Sequence, residues 1–73
     1  MNLANCPLST QVCVRALEGE PTQCLRLLEL GIYPGQCIEA IYEGAFGRRI
    51  IAVNHQRIAI DPESAAHIAV AVA

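Results

Sequence analysis

The side chains with the greatest potential for chemistry are four cysteines and two histidines. They are Cys6, Cys13, Cys24, Cys37, His55 and His67. Thiolate and imidazole groups hold transition metals when three or four of them converge. The sequence contains no C-x-x-C pair, and the positions of the histidines form no metal-binding motif with the cysteines. We therefore expect no high-affinity metal site and no cofactor. Weak Fe²⁺ binding is left open, and a metal-binding sensor or chaperone that uses these six residues is the alternative.

The cysteines are predicted to be free thiols. Disulfide frameworks belong to oxidising compartments, and residues 1–5 lack the charge and the apolar run of a signal peptide. Cys13, Cys24 and Cys37 fall inside predicted strands or a helix, where cysteine behaves as a small buried hydrophobe. No apolar run approaches the ~20 residues that span a bilayer. We expect a cytoplasmic protein that does not insert into membranes.

No pattern in the chain indicates catalysis. Ser9, Thr10 and Ser64 have turn or capping explanations, and no G-x-S-x-G surrounds them. The glycine-containing segment 44–47 is not a phosphate-binding loop, because the sequence contains no lysine. The protein is predicted not to be an enzyme.

The charge distribution argues against nucleic acid as a partner. The chain has five arginines, seven acidic residues and a formal net charge of −2. Arg48, Arg49 and Arg57 lie on adjacent predicted strands, but Arg48 and Arg49 are consecutive and should point to opposite faces. Without a basic stripe, no phosphate-backbone footprint is expected.

The elements that must position these residues follow from periodicity and turn chemistry. With 73 residues the chain is one domain, predicted to comprise a poorly ordered lead-in at 1–10 and a folded unit at 11–73. Alternating apolar residues predict strands at 11–17, 37–43, 48–53, 56–60 and 68–72. A helix at 22–30 follows the first strand, and a helical turn starting at Asp61 precedes the last. The fold class is therefore mainly β, a small SH3-like barrel of five strands with one inserted α-helix and a short helical turn.

The helix carries the most specific local signals. Thr22 is predicted as its N-cap and Gly31 as the left-handed residue that ends it. Helical spacing favours Leu25 and Leu28 as the core-facing pair, which places Leu27 at the margin of the core. Leu30 is predicted to share that marginal position.

Glycine, proline and asparagine mark the turns. Pro34 and Gly35 suit a type II turn between residues 33 and 36. Asn54 and His55 suit a tight hairpin turn, because asparagine tolerates left-handed φ.

The same helix-and-turn segment resembles the signature of the FeoA family. The resemblance is carried by Arg26-Leu27-Leu28-Glu29-Leu30-Gly31-Ile32, followed by Pro34-Gly35. It continues through residues 37–40, 57–60 and 63–70. FeoA is the small cytoplasmic protein of the bacterial ferrous-iron transport system. The resemblance implies an SH3-like barrel, no enzymatic activity, and a role beside FeoB, the membrane transporter that carries a GTP-binding domain.

We expect the solvent-exposed face of the helix and three arginines to contact that partner. The candidate contact residues are Arg26, Leu27, Glu29, Leu30, Arg48, Arg49 and Arg57. Self-association is left open. A second reading makes the chain a stand-alone relative of the SH3-like C-terminal domain of iron-dependent repressors.

Overall fold

The computed structural model describes residues 1–73 and has the predicted element order. The strands are β1 (Gln11–Leu17), β2 (Cys37–Glu43), β3 (Arg49–Val53), β4 (Gln56–Ile60) and β5 (Ile68–Val72). The helices are α1 (Pro21–Glu29), α2 (Pro62–Ala66) and a 3₁₀ turn at Ala45–Gly47. The predicted fold class is confirmed, since the chain has five strands, one helix after β1 and a helical turn before β5.

The five strands form one antiparallel sheet in the order β4-β3-β2-β1-β5. No ladder joins β4 to β5, so the sheet curls around its core without closing. Along each strand, side chains that face the core alternate with side chains that face outward, because successive residues of a strand point to opposite faces. The core-facing side chains include Val12, Val14, Ile38, Ala40, Ile51, Val53, Ile68 and Val70, all buried.

The tight turns form as their residue types predict. Gln36 N–H donates to the Tyr33 carbonyl at 3.0 Å, and Gly35 has a φ of 94°. Asn54 and His55 take left-handed φ values of 51° and 62° between β3 and β4. Such turns match the twist of the paired strands and therefore fix the hairpin register.

Two predictions for α1 are wrong. Its N-cap is Glu20 rather than Thr22, because Pro21 fits the first helical position, where φ is already fixed and no N–H is needed. Its buried residue is Leu27, 4% exposed, whereas Leu25 is 58% exposed and Leu28 is also exposed.

The end of α1 explains why Leu27 faces inward. Gly31, with a φ of 91°, donates its N–H to the Leu28 carbonyl, and Ile32 donates to the Leu27 carbonyl at 3.0 Å. This pair of bonds is a Schellman motif, in which the residue after the glycine packs on the residue that accepts its N–H. Ile32 is fully buried. The motif therefore turns Leu27 toward the core and Leu25 away from it.

The N-terminal segment is part of the folded unit, which corrects its assignment as a poorly ordered lead-in at 1–10. Leu3 and Cys6 belong to the core cluster. Leu3 N–H donates to the Ile68 carbonyl, and Val70 N–H donates to the Met1 carbonyl, both at 2.9 Å. Residues 1–3 thus extend the sheet beyond β5. The segment has no periodic pattern, so this pairing could not be predicted from the sequence.

No helix of the fold has the length and apolar character that crossing a bilayer requires.

Candidate interaction surface

Arg49, one of the predicted contact residues, lies inside the fold rather than on its surface. It is 7% exposed, and its Nη1 donates to the carbonyls of Leu3 at 3.0 Å and Cys6 at 2.7 Å. Its Nε forms an ion pair with Glu43 Oε1 at 2.8 Å. The guanidinium therefore joins β3 to the N-terminal segment. The sequence did hold a signal, because Arg49 shares the inward face of β3 with Ile51 and Val53, and a buried arginine needs partners.

Leu27, another predicted contact residue, is also not on the surface, because it lies on the buried face of α1. Arg26, Glu29 and Leu30 remain exposed. The helical repeat of 100° per residue places Leu25 and Glu29 opposite Leu27. Leu25 and Leu28 therefore form an exposed apolar pair on the outer face of α1.

A second apolar surface lies at the tip of the β2–β3 hairpin. It surrounds a shallow cavity of about 410 Å³. The residues that line it are Tyr42, Gly44, Ala45, Phe46, Arg48 and Ile50, and we call them the hairpin tip. Aromatic and arginine side chains of this kind are enriched at protein interfaces.

Tyr42 reaches this surface because of an irregularity in β2. The sequence placed Tyr42 on the same face as Ile38 and Ala40, which are buried. The pairing of β2 with β3 shifts between Ala40 and Tyr42. A bulge of this kind re-aims the side chain that follows it. Tyr42 is consequently exposed, although strict alternation along β2 would place it on the inward face.

Phe46 is the most unusual residue of the hairpin tip. It is 98% exposed and has a φ of 60°. Left-handed backbone costs a non-glycine residue about 1–2 kcal/mol, and a side chain in solvent contributes no burial to offset that cost. Residues held this way cluster at functional sites. Phe46 was not among the predicted contact residues, although an aromatic residue between two glycines was visible in the sequence.

The three predicted arginines do not form a basic patch. Arg48 lies at the hairpin tip, directly before β3. Arg57 pairs with Ala52 near the opposite end of β3, about 13 Å along the strand from Arg48. With Arg49 buried, the set splits into one interior and two separated surface cations.

The cysteines and histidines are distributed unevenly. Cys6 is buried in the core, whereas Cys37 is exposed and Cys24 is half-buried, so burial of Cys37 was a wrong prediction. His55 is exposed at the β3–β4 turn, and His67 follows α2. No group of three or more histidine, cysteine, aspartate or glutamate side chains lies close enough together to hold a metal ion.

Only Cys13 and Cys37 come together. They are directly paired across β1 and β2, with 2.6 Å between their Sγ atoms. The hydrogen bond to Cys37 raises the pKa of Cys13, with further contributions from desolvation and from repulsion between the two thiolates. Arg15 acts in the opposite direction.

Solved structures define the fold class. FeoA from Chlorobium tepidum matches with a TM-score of 0.88 at 20% identity, covering 99% of this chain and 70% of that one. FeoA from Stenotrophomonas maltophilia, solved with zinc and described as a prokaryotic SH3 domain protein, matches with a TM-score of 0.83 at 25% identity over 97% and 89% of the two chains. The manganese regulator SloR matches with a TM-score of 0.87 at 11% identity, over 100% of this chain and 34% of the regulator. The chain therefore has an SH3-like fold, and the same fold makes up 34% of the manganese regulator.

The family model of the FeoA domain matches residues 1–72. The chain belongs to the FeoA family, which is associated with ferrous-iron transport. No curated protein matches it in sequence. The family match starts at residue 1, in agreement with the packing of Leu3 and Cys6 in the core.

Proposed function

We propose that the protein is a cytoplasmic, non-enzymatic accessory factor of ferrous-iron uptake that acts by binding the transporter FeoB. Family membership supports the link to iron transport. The Stenotrophomonas protein is described as a candidate activating factor of ferrous-iron transport. The identity of the partner comes from the role that the family resemblance implies.

The observation that carries the binding mode is the fully exposed, strained Phe46 at the hairpin tip. Binding hot spots are typically aromatic or arginine side chains around a recess. Phe46, Tyr42 and Arg48 supply these side chains, and the adjoining cavity of about 410 Å³ supplies the recess. We therefore propose the hairpin tip as the principal contact with FeoB.

The outer face of α1 is a secondary contact candidate. Leu25 and Leu28 are exposed there beside Arg26 and Glu29. Leu25, Leu28 and Glu29 line no cavity, Arg26 borders only a small one of about 40 Å³, and all four adopt ordinary helical geometry. We assign them a smaller contribution than Phe46, because truncating a rim residue costs little binding energy.

Iron uptake in a deletion strain tests the proposal. The strain should depend on FeoB for iron, and the gene should be restored as the wild type, Phe46→Gly or Phe46→Tyr. Deletion should lower uptake of ferrous iron, and Phe46→Tyr should restore it because the ring is retained. Phe46→Gly should not restore it, although glycine accepts the left-handed backbone. Normal uptake in the deletion strain would contradict the functional proposal, whereas rescue by Phe46→Gly would contradict only the hairpin tip.

We also propose that the protein acts without a resident metal. The proposal rests on the scatter of its cysteines and histidines, of which no three converge and only Cys13 and Cys37 hydrogen-bond to each other. Anaerobic titration with Fe²⁺ should show no stoichiometric binding at sub-micromolar concentration. Tight binding that is lost in Cys13→Ser or Cys37→Ser would favour the metal-sensor alternative.

A further inference from the structure

Cys13 and Cys37 occupy a position in the sheet where a cross-link can form. Val14 donates its N–H to the Gln36 carbonyl at 2.8 Å, so Val14 is the residue of β1 that is hydrogen-bonded toward the β2 side. Hydrogen-bonded and non-hydrogen-bonded pairs alternate along an antiparallel ladder. The neighbouring pair, Cys13 and Cys37, is therefore a non-hydrogen-bonded pair, in which opposite side chains approach most closely.

Both thiols are accessible from solvent. Val12 and Val14 point into the core, so Cys13 between them points outward. Cys37 is exposed and Cys13 is half-buried. The Cα separation expected at a non-hydrogen-bonded pair, about 4.5 Å, falls within the range that a disulfide spans. The other two cysteines differ, because Cys6 is buried and the Cys24 thiol hydrogen-bonds to backbone carbonyls.

We propose that Cys13 and Cys37 form a reversible redox pair that is oxidised to an intramolecular disulfide by low-molecular-weight disulfides such as oxidised glutathione. This inference does not depend on the proposed function. It assigns a modification site to the outer surface of the β1–β2 ladder, away from the inward face of the sheet.

The reaction proceeds by two thiol–disulfide exchanges. The Cys37 thiolate attacks one sulfur of oxidised glutathione, which forms a mixed disulfide and releases one glutathione thiolate. The Cys13 thiolate then attacks Cys37 Sγ and releases the second glutathione thiolate. The two protein protons end on the released thiolates, so two protein thiols are oxidised and one glutathione disulfide is reduced to two thiols.

The order of the two steps follows from exposure and from the hydrogen bond. Cys37 is the more exposed sulfur and is the one that a bulky disulfide reaches. The largest cause of the raised pKa of Cys13 is its hydrogen bond to Cys37, followed by desolvation and by repulsion from the Cys37 thiolate. Once Cys37 is part of the mixed disulfide, its sulfur has no thiol proton and carries no negative charge. Both causes by which Cys37 raises the pKa of Cys13 are then removed. Cys13 then ionises more readily beside the Arg15 cation and attacks.

Intact-mass measurement after incubation with oxidised glutathione tests the proposal. The wild type should lose the mass of two hydrogen atoms and carry no adduct, and dithiothreitol should restore the original mass. Cys24→Ser, the matched control, should behave in the same way. Cys13→Ser should instead retain one glutathionyl group on Cys37, because the resolving thiol is missing.

Three outcomes of the mass measurement would overturn the redox pair. The first is a persistent glutathionyl adduct on the wild type, the second is an unchanged mass, and the third is loss of two hydrogen atoms in Cys13→Ser. Peptide mapping of the oxidised wild type should place the cross-link between residues 13 and 37. A cross-link to Cys6 or Cys24 would equally refute the assignment.

Discussion

Replacing Arg49 by methionine should destabilise the protein strongly. Methionine keeps much of the aliphatic volume but donates no hydrogen bond, so the carbonyls of Leu3 and Cys6 lose their guanidinium donor. A buried polar group left unpaired costs about 1–3 kcal/mol. The Cys6 carbonyl loses its donor and the Leu3 carbonyl keeps only the weak Cys6 thiol donor at 3.6 Å, which gives a cost of up to about 6 kcal/mol for the two carbonyls. A domain of this length has a free energy of unfolding on the order of 4–11 kcal/mol. The substitution therefore removes a large share of it.

Urea denaturation of the variant, followed by circular dichroism, measures this loss. Glu43→Gln is the matched control, because it removes the ion pair but leaves the two carbonyl bonds intact. The Glu43 side chain is 44% exposed, and exposed ion pairs contribute about 0–1 kcal/mol. Arg49→Met should thus lower the free energy of unfolding by several times more than Glu43→Gln. Equal and small effects of the two substitutions would refute the claim that Arg49 anchors the N-terminal segment.

Further predictions concern the two helices. Leu27→Ala should cost about 2–5 kcal/mol because the leucine is buried, whereas the matched Leu25→Ala should change stability by less than about 0.5 kcal/mol; comparable urea midpoints would contradict the assigned helix face. Asp61 caps α2 by accepting the Ser64 N–H at 3.0 Å, which lowers the pKa of its carboxyl group. The stabilisation is therefore present above the unfolded-state pKa of about 4 and is lost as the pH falls through the lower folded-state pKa. Asp61→Asn lacks the carboxyl group, so its free energy of unfolding should fall less between pH 7 and pH 2 than that of the wild type. Equal losses in the two proteins would refute the stabilising role of the Asp61 carboxylate.

Local chemistry made much of the fold predictable. The turn at Pro34 and Gly35, the helix end at Gly31 and the cap at Asp61 each depend on residues within four positions of one another. The strand positions could be predicted from the alternation of apolar residues, because the geometry of a strand imposes a period of two.

The predictions failed where the deciding contact lies elsewhere in the chain. Helical spacing alone could not choose between Leu25 and Leu27, and the choice depended on Ile32 beyond the helix end. The bulge that exposes Tyr42 arises from pairing with β3. The same limit applies to the candidate site. Arg49 was assigned to the surface because its partners, the carbonyls of Leu3 and Cys6, are more than forty positions away in sequence.

The exposed ring of Phe46 could not be predicted, because its left-handed backbone depends on how the hairpin closes. Gly44 donates its N–H to the Arg48 carbonyl at 2.7 Å, and Arg48 donates to the Ala45 carbonyl. Phe46 is held between these bonds at a φ of 60°. Its strain makes glycine an informative replacement, because glycine removes the ring and is free to adopt the same backbone.

Direct binding to FeoB therefore tests the central claim. Full-length FeoB in nanodiscs should be titrated with the wild type, Phe46→Tyr and Phe46→Gly. Thermal melting should first show that Phe46→Gly is no less stable than the wild type, because relief of about 1–2 kcal/mol of strain offsets the entropy cost of glycine, about 0.5–1 kcal/mol. A hot spot worth at least ~2 kcal/mol predicts that Phe46→Gly weakens binding by about 30-fold or more, whereas Phe46→Tyr binds like the wild type. Equal affinities of the wild type and Phe46→Gly, or no binding by the wild type, would contradict the account.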